Sequence, residues 1–222
     1  PEGEVPSAKA LLVNSTSIDL LTKGNYSHYD LLGTVENFFS KCAPAMFMGW
    51  SNLNFDRRMF HFNFFKGNRY PYATHSSPNQ EHDGLHIARA AQTLNSETLK
   101  TELTEAGNPS LALESLSRMQ GFDTSASHTA YVDAQNSLKV LRIIKDKHKE
   151  NWETFLKTST KTSVETILKS DGIYSIFENV KGRNMMYLVS TLHPNQCFHP
   201  SYASWGYLWD LRRNPEPLLD LS

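Results

Sequence analysis

The chain has 222 residues, 39% hydrophobic and 20% charged, and no uninterrupted apolar run approaches the roughly 20 residues that cross a bilayer. This composition is typical of a folded protein without membrane-spanning helices, rather than of a disordered chain. Its 22 basic and 23 acidic residues are mixed along the chain and give a net charge of -1, so we expect no strong nucleic-acid signal.

The organisation of the chain predicts a single globular domain over residues 1–222, because no Pro/Gly/Ser-rich linker, long charge run or regular repeat marks a boundary. Because it begins at Pro1 without Met or an apolar signal segment, we expect a processed or excised piece. Two cysteines do not suggest a disulfide-framed secreted fold, and a cytoplasmic location is our expectation. Whether Cys42 and Cys197 pair stays open, and Cys42 is expected to be buried and inert.

The first half of the chain predicts one helix and two strands. Apolar residues at helical spacing after Ser27 predict a helix from about 28 to 42, which Pro44 ends. The apolar run 45–48 before Gly49 predicts a strand that is buried on both faces. Alternating phenylalanines over 58–65 predict another strand, and the turn-rich stretch 66–80 follows it.

The second half predicts mainly helices. The first runs from Asp83, its N-cap, to about 98. Further helices are predicted at 110–119 and 163–168, and residues 126–158 predict one long helix or a helix pair. Strands are expected at 173–177 and 185–190, and a last helix at 202–211. The fold class is therefore mixed α and β, either α/β or α+β, with many helices around a small sheet.

The first candidate site is a histidine cluster. His82 and His86 are four residues apart, so a helix that includes both places them on one side, as a transition metal requires. His75 or Asp83 then completes a divalent metal site, with zinc as the example, whose open position holds an activated water. The alternative is a capped helix start with two ordinary surface histidines.

The second candidate site is Gly49-Trp50-Ser51-Asn52, directly after the predicted strand 45–48. The segment resembles the nucleophile elbow of α/β hydrolases, which implies a serine nucleophile at Ser51, although Leu53 occupies a position where the elbow needs a small residue. His193 or His199, after the strand 185–190, is the candidate proton acceptor. The alternative is a strand that ends in a polar turn.

Two classes of function follow from these sites. The first is a hydrolase that uses histidine-activated water, with or without a metal, or a serine nucleophile, with His82, Asp83, Ser51 and His193 as catalytic candidates. The second is a non-catalytic binding or assembly domain, such as a viral or host-interaction protein. One group of basic residues among phenylalanines is a candidate nucleic-acid site (Arg57, Arg58, Lys66, Arg69). We prefer to interpret this segment as a core strand flanked by solvated cations.

Overall fold

The elements of the first half pack around a small parallel sheet. In the computed structural model, which describes residues 6–14, 16–24, 26–124, 129–170, 172–191 and 206–216, this half contains two strands and the helices before and between them. The bounds are α1 Ala8–Val13, α2 Ile18–Thr22, α3 His28–Cys42, β1 Met46–Gly49, α4 Asp56–Lys66 and β2 Gln80–Asp83. β1 and β2 pair in parallel, with Met46 opposite Gln80 and Gly49 opposite Asp83.

The second half is helical up to a three-stranded antiparallel sheet. Its helices are α5 Gly84–Leu94, α6 Leu113–Met119, α7 Ala130–Lys147, α8 Lys149–Lys157 and α9 Lys161–Lys169. The strands are β3 Ile173–Val180, β4 Arg183–Thr191 and β5 Leu208–Asp210, in the order β3-β4-β5. Mixed α and β structure with many helices and small sheets confirms the predicted fold class. No helix among the described residues is long and apolar enough to span a membrane.

The chain divides into two compact units. Unit 1 comprises Pro1–Leu85, Lys100–Glu102 and Leu111–Arg142, and unit 2 comprises His86–Leu99, Leu103–Ser110 and Ile143–Ser222. The single domain over 1–222 stays a prediction.

A phenylalanine cluster forms the hydrophobic core beside β1. Leu32 and Phe39 of α3 and Phe64 of α4 are buried, and Phe47 and Phe60 pack against them. The Phe39 ring lies 5.4 Å from that of Phe60, edge to face, and 6.2 Å from that of Phe64, stacked. Such aromatic pairs add stabilisation beyond the area that they bury.

The helix predicted at 28–42 is confirmed by α3, whose N-cap Ser27 accepts a hydrogen bond from the Asp30 amide. Elements predicted at 110–119, 163–168, 173–177 and 185–190 are found with shifted bounds as α6, α9, β3 and β4, and the described part of 126–158 forms the helix pair α7 and α8. The strand predicted at 45–48 is found as β1, but its residues are half-buried and not buried on both faces as predicted.

Three predicted elements are wrong in whole or in part. Residues 58–65 belong to helix α4, because Phe60 and Phe64, four residues apart, pack on the same core and leave Phe62 on the opposite side. Asp83 ends strand β2 and also caps α5 as predicted, because its Oδ1 accepts a hydrogen bond from the Leu85 amide, but α5 ends at Leu94 and not near 98. Residues 208–210 form strand β5, whereas 202–205 lie outside the described residues.

Candidate functional site

Polar residues gather where the two parallel strands end. The segment Trp50-Ser51-Asn52 follows β1, and Asp83 is the last residue of β2, directly opposite Gly49. Gly84 comes next, and a Cβ there would lie 2.9 Å from the carbonyl oxygen of Gly49, so only glycine fits without a shift. Ligands of α/β proteins commonly bind outside the carboxyl ends of such strands.

Asp83 is fully buried and holds the turn after β1. Its Oδ1 accepts hydrogen bonds from the amides of Ser51 and Leu85, both at 2.9 Å, and its Oδ2 accepts a longer one from Leu53 at 3.4 Å. Ser51 has a φ of 60°, a conformation that non-glycine residues seldom adopt. The Asp83 carboxylate therefore fixes a strained turn by charge-assisted hydrogen bonds.

Glu81 is a second buried carboxylate, and its charge is compensated by neighbouring donors. Oε1 accepts from Nδ2 of Asn52 at 3.0 Å, and Oε2 accepts from Nε of Arg57 at 2.8 Å and from the Thr74 hydroxyl at 3.4 Å. Nδ1 of His75 lies 3.6 Å from the same Oε2. Burial and the charge of Arg57 lower the pKa of His75, so His75 adds little positive charge at neutral pH.

A cavity of about 800 Å³ opens beside these strand ends in unit 1. Aromatic rings form much of its wall (Phe39, Phe47, Trp50, Phe55, Phe60). Three carboxylates also line it: Glu81 of β2, Asp56 at the first residue of α4, and Asp133 in the first turn of α7. Residues that are far apart in the sequence thus place acidic groups around one concave space.

The surroundings of Asp56 in the cavity raise the pKa of its carboxyl group. Partial burial raises its pKa, and the negative charges of Glu81 and Asp83 add to this effect, while a hydrogen bond to its own backbone opposes it. A carboxylate whose ionisation is opposed by neighbouring carboxylates lies in a negative potential that a bound cation would relieve. The donor set of Asp56 and Asp133 therefore suits a hard divalent cation.

The metal site predicted at His75, His82 and His86 stays a prediction, and the structure places His82 and His86 in different elements. His82 lies in strand β2, where Nδ1 accepts a hydrogen bond from the Asp83 amide, so it does not share a helix face with His86. His86 is exposed on α5, and His75 packs against His61, with ring centroids 5.1 Å apart. In the part of the chain that the structure describes, no group of three or more His, Cys, Asp or Glu side chains could hold a metal ion.

The hypothesis of a serine nucleophile at Ser51 stays a prediction. Ser51 does lie on a turn after a strand, but its amide donates to Asp83 and its carbonyl accepts from the Asn54 amide, and no described histidine bonds to its hydroxyl. His193 and His199 lie outside the described residues, as does Cys197. Cys42 is exposed, contrary to the prediction that it is buried, because it ends α3 at the surface.

Sequence reasoning missed Asp56 and Asp133. A signal for each was present, since both are acidic residues in the first turn of a helix, where the helix dipole favours negative charge. The strand assigned to 58–65 concealed the helix start at Asp56. The position of Asp133 within the predicted segment 126–158 did not reveal that it faces a cavity.

Curated relatives and solved structures provide an independent comparison. No protein-family model matches the chain. It is 24% identical over 225 residues to exodeoxyribonuclease I of Buchnera aphidicola subsp. Baizongia pistaciae, with 97% of this chain and 45% of that protein covered. It is 22% identical over 165 residues to exodeoxyribonuclease I of Haemophilus influenzae, covering 74% of this chain and 35% of the relative. The chain thus spans less than half the length of these relatives.

The fold is that of exonuclease I. The structure of E. coli exonuclease I in complex with a dA16 oligonucleotide matches with a TM-score of 0.78 and 18% identity, covering 98% of this chain and 47% of that one. A zinc-bound complex of E. coli exonuclease I with single-stranded DNA matches with a TM-score of 0.75 and 18% identity, covering 98% and 46%. The expectation of no strong nucleic-acid signal is therefore wrong, since these structural neighbours are complexes of exonuclease I with single-stranded DNA. Net charge missed this because it averages over local surfaces.

Proposed function

We propose that this chain forms part of an exodeoxyribonuclease that hydrolyses the phosphodiester bonds of single-stranded DNA. The observation that carries the proposal is that Asp56 and Asp133 both line one aromatic-walled cavity at the carboxyl ends of two parallel strands. A hydrolase in the general sense, as the sequence predicts, is supported by the curated relatives, which are exodeoxyribonucleases.

The acidic pair gives the cavity the ligands for a divalent cation. Asp56 and Asp133 would hold the ion, because carboxylate oxygens are hard ligands and Mg²⁺ is commonly bound by one or two carboxylates together with substrate phosphates. Such an ion supplies charge neutralisation at the phosphate and a water whose pKa is lowered. Zinc remains one candidate, because a zinc-bound form occurs among the structural neighbours.

The remaining cavity residues bind and orient the strand. The indole N–H of Trp50 donates to the carbonyl of Leu111 at 3.0 Å, which fixes one aromatic wall. Phe47, Phe55 and Phe60 present further rings, on which bases can stack independently of their sequence. Glu81 anchors the wall through Asn52 and Arg57 and leaves the metal to Asp56 and Asp133.

Shortening of labelled DNA tests this function. The purified chain is incubated with Mg²⁺ and with either a linear 5′-labelled dT16 or a circular single strand. We expect stepwise shortening of the linear strand and an intact circle, because an exonuclease needs an end. Asp56→Asn and Asp133→Asn should each lower the rate by about 100-fold or more, since each removes a charge that faces the phosphate.

The matched control is Asp146→Asn, the same change at an exposed residue near the other end of α7 from Asp133. It should keep full activity. Binding of Mn²⁺, measured by electron paramagnetic resonance without DNA, should weaken in both cavity variants and not in the control. An inactive wild type that binds DNA and Mn²⁺ would instead favour the non-catalytic binding domain, and cavity variants as active as the control would overturn the assigned site.

A further inference from the structure

Helix α4 has one face that is exposed and aromatic. Phe64 on the core side is 1% exposed, whereas Phe62, two residues earlier and on the opposite side, is 63% exposed. Residues spaced by three or four along the helix share the side of Phe62. We refer to them as the aromatic–basic face, and its members are Phe55, Arg58, Met59, Phe62, Phe65 and Lys66.

The exposure of these rings is unusual for residues of their type. Phe65 is 78% exposed and Phe55 66% exposed, and Met59 between them is also exposed. Contiguous apolar side chains at the surface commonly mark a binding site. From Phe55 to Phe65 the helix rises about 15 Å, which matches about four nucleotides of a stacked strand.

The charge of the aromatic–basic face is positive. Among the described residues, neither Arg58 nor Lys66 forms an ion pair, unlike Arg57, which is paired with Glu81 on the other side of the helix. Nζ of Lys66 lies 5.9 Å from the centroid of the Phe62 ring, so a cation and a ring stand side by side. Alternating cations and rings are what a single strand requires, because it offers phosphates and base faces together.

The aromatic–basic face also begins at the cavity. Phe55 lines the cavity and is the first member of the face, and the next residue, Asp56, is one of the two proposed metal ligands. A strand that extends from the cavity can therefore continue along α4 without a break. Neither a purely apolar partner nor a purely anionic one would use both the rings and the cations.

We propose that the aromatic–basic face of α4 is a binding surface for single-stranded DNA, which holds the unreacted part of the strand by base stacking and phosphate contacts. The proposal rests on the proposed function, because it takes the substrate from it. In this proposal four residues outside the cavity determine the affinity for DNA and not the rate of its cleavage (Arg58, Phe62, Phe65, Lys66).

Binding of a fluorescent dT16 in EDTA, where no cleavage occurs, tests the surface. Phe62→Ala and Phe65→Ala should each weaken binding by about 5- to 100-fold, the range expected for the loss of one stacked base. Phe38→Ala is the matched control, since Phe38 is an exposed phenylalanine on α3, and it should leave binding unchanged. Thermal melting of each variant should match the wild type, because these rings lie outside the core.

The two cations are tested by the salt dependence. Arg58→Gln and Lys66→Gln should each lower the slope of log affinity against log salt by about 0.7, as expected for one phosphate contact to a single strand. A duplex of the same length should compete poorly, because its bases are not free to stack. Equal binding of duplex and single strand, or ring variants that bind like Phe38→Ala, would overturn the proposal.

Failure of the surface can be distinguished from failure of the nuclease function. If the wild type shortens DNA while the face variants change neither affinity nor KM, the proposed function stands and the surface is wrong. If the face variants weaken binding but the wild type never cleaves DNA, the surface stands and the nuclease function is wrong. A wild type that does not bind dT16 overturns the surface.

Discussion

Nε of Arg57 donates a hydrogen bond to Oε2 of Glu81 over 2.8 Å, and this ion pair joins the first turn of α4 to strand β2. Glu81 is only 5% exposed, so its charge depends on this guanidinium and on Asn52 and Thr74. Within the described part of the chain no cation is paired with the adjacent Asp56, and burial together with the charges of Glu81 and Asp83 raises its pKa. Neighbouring acids in one cavity thus have different roles, one structural and one available for a ligand.

Loss of the guanidinium should destabilise the fold. We expect Arg57→Met to lower the free energy of unfolding by about 2 to 3 kcal/mol, because a buried carboxylate loses its charged donor. Urea denaturation measures the change. Arg58→Met, the same substitution at the next residue, should stay within about 0.5 kcal/mol of the wild type. Equal losses in the two variants would contradict the role given to the ion pair.

Asp83 should matter for stability and not for chemistry. Asp83→Asn places an amide N–H group against backbone N–H donors, so the free energy of unfolding should fall by about 2 to 3 kcal/mol. The activity per folded molecule, measured at low temperature, should survive. If the folded variant is inactive while its unfolding curve matches the wild type, the sequence hypothesis of a catalytic Asp83 is restored.

The raised pKa of Asp56 predicts how pH affects stability. An unfolded aspartate titrates near pH 3.9, and between this value and the higher folded pKa the folded protein binds more protons than the unfolded chain. The free energy of unfolding therefore falls as pH rises through that window. Asp56→Asn does not titrate, so its stability relative to the wild type should increase from about pH 3.5 to pH 7. Parallel pH profiles of the two proteins would refute this prediction.

Unit 2 contains a buried pair that allows a separate stability prediction. The Thr98 hydroxyl lies 2.7 Å from Nε2 of His148, and both residues are buried. Thr98→Val should lower the free energy of unfolding by about 1 to 3 kcal/mol, because it leaves a buried polar atom without a partner. Thr98→Ser keeps the hydroxyl and serves as the control. A serine variant as unstable as the valine variant would mean that the methyl group, not the hydrogen bond, is what matters.

The sequence predicts a helix or strand correctly where all of its signals lie within one short segment. The bounds of α3 were predicted at 28–42 because the Ser27 cap, the apolar spacing and Pro44 all act within a few residues. Strand β1 is predicted because a short apolar run between residues that interrupt regular structure is typical of a strand. The overall mixture of α and β structure followed from the sum of such segments.

The tertiary structure decided helix α4, strand β2 and the cavity, because these features depend on contacts between distant parts of the chain. The phenylalanines of 58–65 alternate with the period of a strand, but the contact of Phe60 and Phe64 with Phe39 selects a helix. Strand β2 consists of polar residues that give no strand signal, although Glu81, His82 and Asp83 are buried in the folded chain. That Asp56 and Asp133 line one cavity depends on how separate helices pack, and no local pattern encodes it.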